Sequence, residues 1–398
     1  MPRNVVVPLA LPALGWEEIS EATESLMSTK VTMGDKVRKF EELFASYLHV
    51  RHAVMFNSGS SANLVAMTLA RLVMSKKQGR SFETITPAVT WATTVFPICN
   101  VGGTPVLVDV RPDTYCVDPT RIKEAITKKT EAIVPVHLMG NVCKMTEIMN
   151  LADARNLIVI EDCCEAHGAK LGERMVGTFG DMGTFSFFWS HHITTIEGGM
   201  IVTDNEELAE LARSVRVFGW IRDLKAKKKI ARKYPHIDER FLFLYPGYNL
   251  RPTEVQGAFG IHQIKRLERL IEIRRRNADY WIGRLSKYSQ HLLLPREEPN
   301  TRHVWFGFPI TVRPGAPFSR SQLTSFLEER GIQTRPVMAG NVAEQPAMNL
   351  LKYRKVGSLG GSRLIMRNSF FIGNHQGVGK EERDYVVSCF ERFMKHHR

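Results

Sequence analysis

Apolar residues recur at helical spacing near the start of the chain. In VRKFEELFASYL, Val37, Phe40, Phe44 and Tyr47 lie three or four positions apart and form one stripe along a helix. A Ser/Gly turn, NSGSSAN, then separates the apolar run HAVMF from LVAMTLARLVM. This second pattern predicts a strand that passes through a turn into a helix.

Short apolar runs rich in β-branched residues follow and alternate with helical patterns. Several are apolar throughout, as expected for strands that are covered on both faces. The runs are FETITP, PVLVDV, AIVPVH, LIVIED, GTFSFF and GMIVTD. Their alternation with helices predicts an α/β fold, with a doubly wound sheet that is mostly parallel or mixed.

The pattern changes after Arg251. A basic amphipathic helix over about 264–285 leads to the alternating run HVWFGFPITV, which predicts a strand. Ser319 is predicted to cap a helix over RSQLTSFLEER, with GIQTRPVM as a further strand. We therefore expect a large domain over 1–255 and a smaller α+β domain over 256–398.

Composition narrows the class of protein. The 398 residues suit two packed domains, and no apolar run reaches the roughly 20 residues that a membrane span needs. The N-terminal run VVVPLALPAL follows a single basic residue, Arg3, and contains two prolines, so it does not resemble a signal peptide. Six scattered cysteines favour reduced thiols. These features predict a cytoplasmic protein without membrane association.

Metal and nucleic-acid ligands are not expected. Cys163 and Cys164 lie near His167, but a zinc site needs about four ligands and no second pair follows. Basic residues outnumber acidic ones by 54 to 41, with much of the excess in RDLKAKKKIARK, residues 222–233. That run lacks interleaved aromatic residues. It is either a solvated loop or a segment that partly neutralises an anionic small substrate.

Three features at strand ends could serve a cofactor with a phosphate and a flat ring. Ser58, Gly59 and Ser60 open a helix, where backbone N–H groups suit a phosphate. Asp162 ends LIVIED, at the edge of the sheet where its carboxylate could pair with a pyridinium nitrogen. Trp91 follows FETITP and could stack on a ring. Alone, each has an ordinary alternative: a helix start, a turn aspartate or a core tryptophan.

These pieces precede GTFSFFWSHHITTIEGGMIVTDN and GYNLRPTEVQGAFG. In this order the chain resembles the DegT/DnrJ/EryC1/StrS sugar aminotransferases, from VTMGDKVRKFEELFASYLHV onward. The resemblance implies the aspartate aminotransferase fold (PLP fold type I), with a large mixed-sheet domain and a smaller α+β domain. It also implies pyridoxal 5'-phosphate or pyridoxamine 5'-phosphate as cofactor, and a homodimer whose active sites are shared between subunits.

The resemblance gives the cofactor-binding positions their roles. Gly59, Ser60 and Ser186 would hold the cofactor phosphate. Trp91 would stack on the ring, and Asp162 would pair with the ring nitrogen.

The resemblance also assigns residues that would contact the cofactor's phenolic oxygen, the neighbouring subunit's cofactor and the substrate. Glu165 stands where the family usually has a glutamine near the phenolic oxygen. Asn249 would reach the phosphate of the neighbouring subunit's cofactor. Arg222 and Arg251 are candidates for the carboxylates of glutamate, although Phe218 replaces a histidine found in the most similar members.

The register places His191 where the family has its lysine, because the family's Phe-Ser-Phe-x-x-x-Lys falls on residues 185–191. A lysine can hold the cofactor covalently and move protons, whereas an imidazole can only move protons. The nucleotide-sugar 3-dehydratases share this departure. The resemblance extends to the dehydratases of the colitose pathway of lipopolysaccharide O-antigen synthesis, which act on GDP-4-keto-6-deoxymannose. The segments that carry it are SHHITTIEGGM, PGYNLRP, WFGFPI, RPVMAGN and GNHQ.

This subgroup implies that oxygen is removed rather than nitrogen added. The amine form of the cofactor would engage the C4 ketone, His191 would move a proton and the C3 hydroxyl would leave. A 3,6-dideoxy-4-ketosugar and ammonia would follow, and glutamate would restore the amine. A sibling group carries a [2Fe-2S] centre on four cysteines. Here Cys164 matches the first, but Arg222, Leu224 and Arg232 stand at the others, so no cluster is expected.

Other hypotheses stay open. The nucleotide could be CDP or TDP. The chain could be an aminotransferase that uses another lysine, although none lies within 185–200. It could also be a non-catalytic sugar-nucleotide-binding protein, which the retained Asp162, Glu165 and Ser186 disfavour.

Overall fold

The computed structural model describes residues 6–74 and 82–397, so Arg3 and the first residue of the N-terminal apolar run, Val5, lie outside the described residues. Its α-helices are α1 (Trp16–Met27), α2 (Asp35–Leu48), α3 (Gly59–Met74), α4 (Ala92–Asn100), α5 (Pro119–Ala125), α6 (Met145–Asp153), α7 (Glu206–Arg216), α8 (Lys227–Ala231), α9 (Glu254–Gln263), α10 (Leu267–Leu285), α11 (Arg320–Glu328), α12 (Gly360–Asn368) and α13 (Lys380–Lys395). No helix in these two ranges has the length and apolar character needed to cross a membrane.

The strands are short, and most have buried side chains. They are β1 (His52–Phe56), β2 (Glu83–Pro87), β3 (Thr104–Val108), β4 (Thr130–Ile133), β5 (Ile158–Asp162), β6 (Lys170–Leu171), β7 (Arg174–Met175), β8 (Met182–Ser186), β9 (Gly199–Thr203), β10 (Leu292–Leu293), β11 (Thr301–Arg302), β12 (Phe308–Val312), β13 (Thr334–Pro336), β14 (Arg354–Lys355) and β15 (Ser369–Ile372).

Among the described residues, eight strands form one sheet in the order β1-β9-β8-β5-β4-β2-β3-β14. Only β9 runs against its neighbours, and the other strands are mutually parallel. Every residue of β2, β3, β8 and β9 is buried, because helices cover both faces. The prediction of a mostly parallel or mixed sheet is confirmed.

The apolar stripe of α2 packs against the strand that leads into the His191 loop. Phe40 and Phe44 are fully buried, and their rings lie 5.0 Å from those of Phe187 and Phe185, respectively. Tyr47 lies at the rim, where its hydroxyl donates to Glu268 Oε1 at 2.6 Å. The predicted stripe therefore fixes the base of the loop that carries His191.

The C-terminal part forms an antiparallel sheet, in the order β10-β12-β15-β13. Ser319 caps α11 as predicted, since its side chain accepts the Gln322 N–H. The predicted strand over HVWFGFPITV is wrong in its first half, residues 303–307. There the Val304 N–H donates to the Gly140 carbonyl and Trp305 has a φ of 51°, so the backbone leaves the β region.

The two parts of the chain share elements. β14 belongs to the C-terminal part but pairs with β3 in the large sheet. Near the start of the chain, Val7 pairs with Ile332. The division into domains over 1–255 and 256–398 stays a prediction.

Candidate active site

A tight turn joins β1 to α3. A Cβ atom at Gly59 would lie 2.4 Å from the Ser186 Cβ, and one at Gly199 would lie 2.2 Å from the Ser58 carbonyl oxygen. Only glycine fits at either point, so β8 and β9 approach the turn closely. The Ser186 hydroxyl and the exposed Ser60 therefore lie at the N-terminus of α3, and this cradle suits a phosphate.

Asp162 ends β5 and is buried at the carboxyl edge of the sheet. Its Oδ2 accepts hydrogen bonds from Asn63 Nδ2 at 3.0 Å and Thr94 Oγ1 at 2.8 Å, and its Oδ1 accepts the Cys164 N–H at 3.2 Å. Asn63 lies one turn into α3 and Thr94 lies in α4. Asp162 thus links the phosphate cradle to the segment that carries Trp91, and its orientation is fixed.

Trp91 immediately precedes α4 and is 57% exposed. An indole packed in the core would be almost fully covered, so the alternative of a core tryptophan is wrong. The next helical turn is anchored to Asp162 through Thr94. The structure thereby presents a flat aromatic face at the same sheet edge as the Asp162 carboxylate, where a ring could stack.

Glu165 is buried three residues beyond Asp162. Its Oε2 accepts the Met139 N–H at 2.6 Å. Burial raises the pKa of Glu165 to about 8, and the negative charge of Asp162 acts in the same direction. At neutral pH the side chain is therefore mostly protonated, and it can donate a hydrogen bond as a glutamine amide does.

His191 lies in the loop between β8 and β9, and its N–H donates to the Phe188 carbonyl at 3.0 Å. Its ring lies 5.2 Å from the Phe306 ring, and its Nδ1 is buried without a hydrogen-bond partner among the residues that the structure describes. Burial lowers the pKa of His191 to about 3, and the positive charge of Arg274 contributes. The imidazole is thus neutral at physiological pH and able to accept a proton.

Asn249, Arg222 and Arg251 are exposed. The Asn249 Oδ1 accepts from Arg251 Nε at 3.0 Å. Arg222 and Arg251 line a cavity of about 620 Å³ beside α2, and none of the other predicted site residues lines it. No hydrogen bond among the described residues joins any of these three side chains to His191, and their assigned roles stay predictions.

Cys163 lies with His137 and Glu161 in a buried group whose ligand-type atoms are within 4.8 Å of one another. The Cys143 N–H donates to His137 Nδ1 at 3.1 Å, which leaves the ring hydrogen on Nε2, 3.1 Å from Glu161 Oε2. Glu161 also accepts three backbone N–H groups within 177–180. These contacts occupy the lone pairs that a metal would need, so the group is structural.

The sequence did not predict four residues that shape the site. Asn63 and Thr94 orient Asp162, and their only signal was a polar side chain in a helix that begins at the sheet edge. The Phe306 ring packs near His191 and the Arg274 charge acts on it, but a basic helix and an alternating run gave no sign of this.

Comparison with known proteins places this geometry in a family. The chain matches the DegT/DnrJ/EryC1/StrS aminotransferase family over residues 12–391. It is 37% identical over 376 residues to a GDP-4-keto-6-deoxy-D-mannose 3-dehydratase of Escherichia coli O55:H7, covering 93% of this chain and 96% of that protein.

Two solved structures are also similar. One is E. coli GDP-4-keto-6-deoxy-D-mannose-3-dehydratase with bound hydrated PLP, at a TM-score of 0.91 and 35% identity over 97% of this chain and 100% of the other. The second is a GDP-4-keto-6-deoxymannose-3-dehydratase with a trapped PLP-glutamate geminal diamine. Its TM-score is 0.90, and it is 35% identical over 96% of this chain and 99% of the other. The expected PLP fold type I, with a large mixed sheet and smaller antiparallel sheets, is confirmed.

Proposed function

The chain belongs to the DegT/DnrJ/EryC1/StrS aminotransferase family, and from this premise we propose that it is a nucleotide-sugar 3-dehydratase. It is a sugar-modifying enzyme that uses pyridoxal 5'-phosphate (PLP). The observation that carries the finer proposal is His191, a neutral imidazole in the loop where the family's lysine is expected. No lysine lies within 185–200.

The residues present fit this cofactor. The glycine-dependent cradle of Gly59, Ser60 and Ser186 would hold the phosphate. Trp91 would stack on the ring, and Asp162 would pair with its nitrogen. When bound, the cofactor supplies an electron sink for the reaction at the sugar.

His191 determines the direction of the chemistry. Its neutral ring can accept a proton and return it, but it cannot attach the cofactor covalently, so non-covalent contacts must retain the cofactor. Overall, the sugar loses the oxygen of its C3 hydroxyl, glutamate becomes 2-oxoglutarate, and the glutamate nitrogen leaves as ammonia. These products balance the atoms and electrons of the two substrates.

The proposed substrate is GDP-4-keto-6-deoxymannose, because the similar dehydratases carry that name. The corresponding CDP- and TDP-linked sugars are the alternatives. Incubating the enzyme and glutamate with each of the three sugars in turn separates them. We expect fastest turnover of the GDP sugar, and faster turnover of either alternative would reassign the nucleotide.

Glutamate is expected to convert the bound cofactor to its amine form without any sugar present. The absorbance of the pyridoxal form should fall, and 2-oxoglutarate should appear in an amount equal to the bound cofactor, since the amino group is transferred once per site. Absorbance spectroscopy and an assay for 2-oxoglutarate measure both changes, with alanine in place of glutamate as the control. If no 2-oxoglutarate forms, the glutamate-dependent route is refuted.

A homodimer is part of the proposal, and helix α1 supports it. This helix buries Glu18, Ala22 and Ser25 and leaves large apolar side chains exposed among polar ones. Glu18 is fully buried, and its Oε1 accepts from Gln263 Nε2 at 2.7 Å. Its exposed side chains include Trp16 (76% exposed), Ile19, Leu26 and Met27 (81%). An apolar helix face of this kind marks a protein contact, and a second copy of the chain would cover it.

The double substitution Ile19→Glu with Leu26→Glu is expected to give a monomer with little activity. The two carboxylates would be buried without partners at the contact, and the shared sites would separate. Light scattering measures the mass in solution, and Leu350→Glu is the control because it changes an exposed leucine elsewhere. A variant that remains dimeric would show that this face is not the contact.

A further inference from the structure

Arg274 is an arginine buried within α10, with 4% of its surface exposed. No carboxylate in residues 6–74 or 82–397 forms an ion pair with it. Its Nη1 instead donates to the carbonyls of Phe306 at 2.8 Å, Trp305 at 3.4 Å and Asn374. A buried cation that only carbonyl oxygens stabilise is costly to keep, so this position calls for a role beyond packing.

The backbone that Arg274 holds forms one wall of the His191 site. The Phe306 ring lies 5.2 Å from the His191 ring. The Phe306 N–H donates to the Met139 carbonyl at 2.9 Å, and the Met139 N–H donates to Glu165 Oε2 at 2.6 Å. Arg274 thus anchors a segment that contacts the imidazole and reaches the Glu165 carboxyl group.

The charged and titratable groups around His191 are Arg274 and two more buried imidazoles, His167 and His192. The His167 ring lies 6.1 Å from the His191 ring, and neither of its nitrogens has a hydrogen-bond partner among the described residues. His192 Nε2 lies 2.8 Å from the Val304 carbonyl. Burial lowers the pKa of both, and Arg274 acts in the same direction. Burial lowers the pKa of Arg274 itself to about 9, so it is the group that is positively charged at neutral pH.

We infer that Arg274 is a positioning residue for His191: it holds the backbone of Trp305 and Phe306 against the imidazole and keeps a positive charge behind it. The inference rests on the proposed role of His191 as the proton-transferring group. A neighbouring cation disfavours the protonated imidazole, so the ring stays neutral between proton transfers and readily releases a proton that it has taken up. Without that charge, His191 would become protonated at higher pH.

The test is ¹⁵N-histidine NMR of the substrate-free, cofactor-free protein, with His191→Asn used to assign the signal. In Arg274→Met, the protonated fraction of His191 at about pH 5 is expected to be at least about tenfold greater than in the wild type. Arg276→Met, an exposed position on the same helix, should leave it unchanged. An unchanged fraction in folded Arg274→Met would overturn the inference.

Arg274→Lys keeps the charge but has fewer donors for the carbonyls. It therefore tests the positioning role even if Arg274→Met does not fold. We expect its His191 protonation to match the wild type and its kcat to fall about tenfold, with little change in KM. Full kcat in Arg274→Lys would refute the positioning role. If the wild-type enzyme dehydrates the sugar but the His191 titration is the same in Arg274→Met, only this inference is refuted. If the titration shifts in Arg274→Met but the wild-type enzyme does not dehydrate the sugar, only the proposed function is refuted.

Discussion

Replacing His191 with asparagine is expected to lower kcat for loss of the C3 hydroxyl by about 10²–10⁴-fold. Asparagine retains a polar side chain of similar reach but cannot accept and return a proton near neutral pH. The contacts proposed for the cofactor come from other residues, so the cofactor should remain bound. The expected result is therefore an enzyme that is loaded with cofactor but nearly inactive.

Steady-state rates and the absorbance of the bound cofactor measure both parts of this result. His192→Gln is the matched control: His192 is the adjacent imidazole, its Nε2 lies at the Val304 carbonyl, and it has no proposed role in proton transfer. It should cost stability but keep most of the activity. If His191→Asn retained activity comparable to that of His192→Gln, His191 would not be the proton-transferring group.

Replacing Asp162 with asparagine is expected to lower kcat by about 10²–10³-fold and to weaken cofactor binding. The substitution removes the negative charge proposed to pair with the ring nitrogen while preserving the shape of the side chain. It also places an amide opposite the donors Asn63 Nδ2 and Thr94 Oγ1. Both effects disfavour the protonated ring on which the electron sink depends.

Thr94→Val separates these two effects, since it removes one hydrogen bond to Asp162 and leaves the charge. We expect it to lower kcat by about tenfold, because a hydrogen bond to a charged group stabilises by about 1.5–3 kcal/mol while the Asn63 and Cys164 donors to Asp162 remain. Equal losses in Asp162→Asn and Thr94→Val would show that orientation, not charge, is what the site requires. Rates and cofactor titrations on the two variants give the comparison.

The parts of the fold that could be predicted are those that depend on the sequence pattern within a single helix or strand. The stripe of α2 and the apolar strands follow from the spacing of residues within one element. The family resemblance grouped Gly59, Trp91, Asp162, Ser186 and His191, and their elements meet because parallel strands end at one edge of a sheet.

The parts that were missed depend on contacts between distant segments. Residues 303–307 alternate like a strand, but Gly140, His192 and Arg274 take up their backbone groups. Arg274 itself resembles its charged neighbours in a basic helix, and only the packing of α10 buries it. No periodicity within one segment reports such contacts.

We propose that His191 makes this enzyme remove oxygen rather than add nitrogen. Mass spectrometry of the sugar formed from GDP-4-keto-6-deoxymannose and glutamate, with an assay for ammonia, tests it most directly. We expect a nucleotide sugar that is one oxygen atom lighter, with one ammonia and one 2-oxoglutarate for each sugar. A product that retains the C3 oxygen and gains nitrogen at C4, without free ammonia, would contradict it.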